Sequence, residues 1–275
     1  MKKISIFLFV FTFVLNFMHS EIHRKDGILF LHEGTSVSIK PGWQREFVNK
    51  KNINDYYIDL IFIEPQFKHQ VIDNFYVNTF VSYGFGKRNK DNAYTKHYNW
   101  NVEGNVGWTF HPFKTALFSP FFGLGWRHLK EKRNEDIEGS DDGVFYDIRF
   151  SDIYALVGGD FQYLFSKNLS VGLNGGLGIS ICPEISYQSG DRLGGSLIYG
   201  PKEKHNAKHQ PFARVTLPIS CHFDTDTLGC YKVGLELNYQ YIPRKLKSSV
   251  NSKVRTQSDT ISQILGVTLC VGYFF

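Results

Sequence analysis

Beyond residue 17 the 275-residue chain has no apolar run approaching the ~18 consecutive residues of a membrane-spanning helix, which excludes a helical membrane protein. No one sign of charge dominates either. There are 31 Lys and Arg against 26 Asp and Glu, a balance that gives no reason to expect a nucleic-acid partner. Cysteines number four, and none stands near Ser20 to carry a lipid, so the chain is not expected to be a lipoprotein. Catalytic signatures are missing as well. There is no Gly-x-Ser-x-Gly, no His-Glu-x-x-His and no phosphate-cradling glycine loop followed by Lys-Ser/Thr. His205 and His209 have the i, i+4 spacing of a metal pair, but they lie in Pro- and Lys-rich loop sequence rather than on a helix. The expectation is therefore a protein that is not an enzyme and has no cofactor and no metal.

What is present starts at the amino end. Lys2 and Lys3 precede an apolar run from Ile4 to Phe17, and Ser20 is small enough for the position before a cleavage site. That run is too short to span a bilayer and is followed by polar residues, the pattern of a secretory signal peptide over residues 1–20. Cleavage would leave 255 residues, 21–275, and the loss of Lys2 and Lys3 takes the formal charge from +5 to +3. This is the length of one domain. A secreted chain without a spanning helix can still occupy a membrane as a closed barrel, the other architecture that satisfies every backbone group in lipid. Aromatic residues make up 16% of the chain, with 15 Tyr and 25 Phe, which suits the girdles that barrels place at both membrane interfaces.

Period-two alternation runs through most of the remaining chain. It predicts strands near 34–48 (interrupted by Pro41), 56–69, 75–86, 98–111, 119–129, 148–165, 169–179, 210–223, 231–242 and 260–275. In the clearest internal case Trp100, Val102, Val106 and Trp108 alternate with Asn99, Asn101, Glu103 and Asn105. A strand with one face in lipid and the other in a polar lumen needs that pattern. Ten is an even count, as a closed barrel with both ends on one side requires, and eight is the alternative if the first two strands are misread. The fold class expected is all-β, an antiparallel up-and-down transmembrane barrel.

The final stretch, Thr260 to Phe275, is the most regular. Phe275, Tyr273, Val271, Leu269, Val267 and Leu265 form an apolar face, opposite small or weakly polar residues apart from Phe274. Ending on an aromatic carboxyl-terminal residue, this strand resembles the last strand of the bacterial outer-membrane β-barrel proteins, the small OmpA- or OmpW-like and ten-stranded barrels among them. The resemblance implies that Phe275, Tyr273 and Val271 form the signal read by the barrel-assembly machinery. It also implies an outer-membrane location with lipid and lipopolysaccharide as surroundings. Connection lengths give an orientation. The stretches 49–55, 87–97, 130–147, 181–209 and 243–259 are mostly long and rich in charge, as extracellular loops are, while 166–168 and 224–229 are short.

Two enzyme families with barrels of this kind were weighed. Asp224 and Asp226 could suggest the paired carboxylates of the omptin proteases, but they fall in a short turn at the end opposite the omptin catalytic rim, and no Asp-x-His stands at the rim. The His and Ser of the lipid A deacylases have no evident counterpart. What remains is a structural or surface-contact protein, adhesin-like through its loops toward a host surface, with a porin-like small-solute channel as the alternative. Ten strands leave little lumen, because eight leave just enough for side chains. Inward parity assigns Glu103, Arg127, Asp160, Arg214, Lys232 and Glu236 to that lumen. A hairpin centred on Thr115 would set Glu103 directly across from Arg127. Cys221 and Cys230 flank the turn 224–229 and are close enough in sequence to form a disulfide, although strand parity points one outward and the other inward.

Overall fold

The computed structural model describes residues 35–50, 56–72, 74–90, 93–136, 143–166, 168–193, 196–225, 229–245 and 260–274. The expected signal peptide over 1–20, the carboxyl-terminal Phe275 and Asp226 lie outside the described residues. Strands β1 (Thr35–Lys50), β2 (Tyr56–Ile72), β3 (Phe75–Lys90), β4 (Ala93–Trp108), β6 (Ala116–Asp136), β7 (Gly143–Ser166), β8 (Leu169–Ser180), β12 (Pro211–Thr225), β13 (Gly229–Arg244) and β14 (Thr260–Phe274) pair in that order, each antiparallel to the next. Pairing of β14 with β1 closes the ring. The barrel therefore has ten strands, and the short β5 (Phe110–Phe113) continues β4 against β6.

The registers fix the geometry of the ring. A walk from Asp152 on β7 through Arg127, Asn101, Ser82, Glu64, Lys40, Cys270, Gly234, Ser220 and Ser170 re-enters β7 at Leu164, twelve residues from its start (164 less 152). A stagger of twelve on ten strands tilts them by about 40°. Outward side chains form an apolar band that ends, toward the long connections, at Trp43, Trp100 and Trp126, and toward the short turns at Trp108, Phe165, Phe223 and Tyr231. All of these are exposed. At this tilt the band is roughly 25 Å tall, the height of a bilayer's apolar core. A continuous exposed belt of this kind is a liability in water and a requirement in lipid.

Above the belt the chain departs from the expected loops. The described residues of the stretches 87–97 and 130–147 continue as strands, so that β3 reaches Lys90, β4 starts at Ala93, β6 reaches Asp136 and β7 starts at Gly143. The stretch 181–209 holds β9 (Glu184–Leu193), β10 (Ser196–Tyr199) and β11 (Glu203–Asn206), with β9 paired to the upper half of β7 and both short strands paired to β9. This wall rises roughly 20 Å past Asp152, at ~3.3 Å per residue along the tilted strand.

In the wall the alternation inverts. Lys130, Lys132, Asp147 and Arg149 now point outward, and Leu129, Ile148, Phe150, Ile185, Tyr187 and Ala207 pack as a buried cluster on the inner face. Val48, Tyr56, Ile58 and Leu60 do the same on β1 and β2. Below the inversion the outside is lipid and the inside is polar, whereas above it the outside is water and the inside is apolar.

Candidate functional site

The lumen brings together the sequence's inward charges, in a different arrangement from the one expected. The β4 to β6 register sets Glu103 opposite Gly125 and Arg127 opposite Asn101, one hairpin step away from a turn centred on Thr115. Turn residues 114–115 and the separate strand β5 take up the difference. Glu103 and Arg127 therefore do not pair with each other. Glu103 instead accepts both arms of the Arg214 guanidinium, at 2.6 and 2.7 Å, from β12 across the lumen. The Tyr154 hydroxyl donates to the same carboxylate at 2.7 Å and Asn105 Nδ2 at 2.9 Å, so Glu103 holds four bonds while only 1% exposed. Arg127 donates to Asp152 at 2.8 Å and to Ser180 at 3.1 Å, and its guanidinium lies 4.5 Å from the Phe212 ring centre.

Further ties flank these two. Toward the short turns Lys40 reaches Glu236 at 3.1 Å and Glu64 at 3.7 Å, joining β1, β2 and β13. Toward the wall Glu46 takes Arg244 at 3.1 Å and lies 3.4 Å from His97, and the Tyr56 hydroxyl donates to both oxygens of Glu131 at 2.9 Å. Glu46 and His97 are fully buried. A hydrated pore would wet these groups. Asp160, Lys232 and Lys68 face the turn-end half of the lumen and line a polar cavity of about 240 Å³ that passes the tie residues and reaches Leu129, Phe150 and Arg244 toward the wall, too little for the usual small-molecule site.

Glycines make the network possible. A Cβ on Gly125 would collide with the Tyr154 ring, and one on Gly123 would collide with Asn105 and Leu156, so the two residues that support Glu103 occupy space that these glycines leave empty. Parity alone identifies the inward side chains. Asp152, Tyr154, Lys40 and Glu46 were legible in that sense, but which of them meet was not, because partners such as Glu103 and Arg214 are 111 residues apart.

The remaining expectations resolve as follows. Tyr273 and Val271 sit on the lipid face of β14. All four cysteines are free: Cys221 points outward and Cys230 is buried inward, opposite Asp224, so the expected disulfide is corrected by the parity of the two strands. His205 bonds Glu203 and His209 bonds the Ser180 carbonyl, and no cluster of three metal-ligating side chains occurs among the described residues. On the wall, burial alone would raise the Asp147 carboxyl. The Arg149 guanidinium at 2.8 Å and the lysines Lys130 and Lys132 outweigh this and hold it below the usual carboxylate range.

Among solved structures the chain is similar to bacterial outer-membrane barrels. The outer membrane protease OmpT of Escherichia coli aligns at 10% identity over 90% of this chain and 98% of that one, with a TM-score of 0.48. The translocator domain of autotransporter NalP from Neisseria meningitidis aligns at 9% identity over 89% and 90%, with a TM-score of 0.45. A major outer membrane protein from Thermus thermophilus aligns at 9% over 87% and 99%, with a TM-score of 0.43. No family model matches the chain, and no curated protein matches it. Its functional reading rests on its own belt, wall and lumen.

Proposed function

We propose that the chain is an integral outer-membrane protein with a closed lumen, which acts as a structural or surface-contact protein through the β-wall and connections at its loop end. The observation that carries this is a pair of fully buried carboxylates inside the lumen, Glu103 held by Arg214 from across the barrel and Glu46 held by Arg244 from two strands away, beneath the apolar clusters at the mouth. A path for solutes past the level of Glu103 would have to break its pair with Arg214, and breaking a buried pair costs about 3–5 kcal/mol. The wall supplies a strand-paired, charged surface beyond the membrane and matches the longer extracellular side of such barrels. Placement by the barrel-assembly machinery through Tyr273, Val271 and Phe275, a host surface as the contact and the absence of catalysis belong to this same reading.

Planar-bilayer recording of the refolded protein tests it. The closed lumen predicts no discrete, stable openings, and reproducible unitary conductance from the unmodified chain would overturn it in favour of a small-solute channel. The 240 Å³ polar cavity is the observation that favours that second reading.

A further inference from the structure

The turn-end half of the lumen carries an ion arrangement with one member missing. Four residues separate Lys68 from Glu64 on β2 and Lys232 from Glu236 on β13 (68 less 64, 236 less 232), so each strand places a lysine toward the turns and a glutamate roughly 13 Å further in. Between β13 and β2 stand β14 and β1. At the inner level β1 supplies Lys40 between the two glutamates, 3.1 Å from Glu236 and 3.7 Å from Glu64. At the turn-end level the flanking signs are reversed, and the place that corresponds to Lys40 holds no charge. There β1 and β14 present Ser36, Ser38 and Gly272 to the lumen.

Two cations thus flank a floor of small residues. Lys232 lies opposite Gly272, Gly272 opposite Ser38, and Ser36 opposite Lys68. A Cβ on Gly272 would lie 3.2 Å from the Ser38 Cβ and 3.7 Å from the Lys232 Cβ, so its absence leaves the room between them open. Lys68 rests on the Tyr76 ring at 4.1 Å, and neither Lys68 nor Lys232 has an ion pair among the described residues. Asp160 on β7 and Lys232 are the charged groups whose fields reach Lys68, and Asp160 also accepts from Gln162 at 3.1 Å. Both lysines, Asp160 and the small floor line the same polar cavity. Two cations against one carboxylate leave this level with a positive charge that an anion would balance.

Resting on the membrane-barrel reading, we infer that the turn-end mouth of the lumen is a binding site for a small divalent oxyanion of the phosphate or sulfate class. The anion sits over Ser36, Ser38 and Gly272, takes charge-assisted hydrogen bonds from both lysines and is completed by the serine hydroxyls. It does for the two lysines what Lys40 does for the two glutamates. Chloride carries a single charge and has no second oxygen to span both lysines. Further in, two glutamates share one lysine and repel an anion, so the site is a blind pocket rather than a step on a path.

Isothermal titration calorimetry of the full refolded protein in detergent micelles tests this with three probes: sodium sulfate, sodium phosphate and sodium chloride. Wild-type protein should bind both oxyanions saturably and more tightly than chloride. Lys68→Gln and Lys232→Gln should each weaken sulfate binding about ten-fold or more, the loss expected for one hydrogen bond to a charged group, while Lys204→Gln at the loop end leaves it unchanged. Ser38→Asp puts a carboxylate where the anion sits, and should abolish binding while raising the denaturant midpoint of the barrel. Saturable binding of neither oxyanion, equal binding by wild type and the two lysine variants, or chloride bound as tightly as sulfate would each overturn the site. Heat-modifiable migration on gels separately reports barrel formation. A chain that never forms the barrel refutes the membrane reading, whereas one that forms it without binding either oxyanion refutes the site alone.

Discussion

Removing the Glu103 carboxylate is the perturbation whose consequence the structure specifies most completely. Glu103→Ala leaves the Arg214 guanidinium in the lumen without its bidentate acceptor, and the same change removes the acceptor used by Asn105 and one of the two used by Tyr154. Breaking a buried pair by deleting one partner costs about 3–5 kcal/mol, because the other charge stays desolvated. The value should fall toward the upper end here, since the side chain is 1% exposed and neutral donors lose their partner as well. A second deletion, Arg214→Ala, should then cost much less than it does alone, giving a coupling energy of about 2 kcal/mol or more.

Arg127→Ala is the control for that cycle. Arg127 is committed to Asp152 and Ser180, so its coupling to Glu103→Ala should stay under about 1 kcal/mol, although the two side chains are neighbours on the sheet. Denaturant unfolding in lipid vesicles, followed by tryptophan fluorescence, measures all four corners. If Glu103→Ala unfolds at the wild-type midpoint, or if its coupling to Arg214 is no larger than to Arg127, the lumen is hydrated at that level and the closed-lumen argument fails.

Gly125→Val should destabilise the barrel by about 1–3 kcal/mol through displacement of the Tyr154 ring, with the same vesicle assay showing the loss, whereas a substitution at Gly104, whose nearest neighbour is the Thr79 side chain at 3.8 Å, should be mild. A membrane-impermeant maleimide added to intact cells should label Cys182, exposed at the loop end, and leave Cys221, Cys230 and Cys270 unlabelled, and the reverse pattern would invert the orientation. Because the folded Asp147 carboxyl titrates below its ordinary range, its contribution to the wall is complete above about pH 4 and is lost as pH falls through the depressed value. Infrared spectra of the protein should accordingly show this carboxylate still ionised at pH 4, and a carboxyl already protonated there would contradict the Arg149 pairing.

Sequence alone determined the ring: lipid demands apolar side chains at every second position, and that demand is written locally, strand by strand, from Trp100, Val102, Val106 and Trp108 to the last strand ending at Phe274. It also assigned the inward face, because the same parity that sends Val102 into lipid sends Glu103 into the lumen. It did not reveal the wall, where Ile148 and Phe150 turn inward and Asp147 and Arg149 outward. Inverted alternation in water lacks a continuous apolar face to betray it, so the stretch reads as charged loop. Nor could it pair the charges. A hairpin centre misplaced by a single residue moves the facing position by two, which was enough to offer Arg127 to Glu103 when the register gives it Gly125. The partner that does meet Glu103 arrives from β12 across the barrel, and only closure of the ring brings Arg214 there, because lumen contacts depend on strand count and stagger rather than on any local stretch of chain.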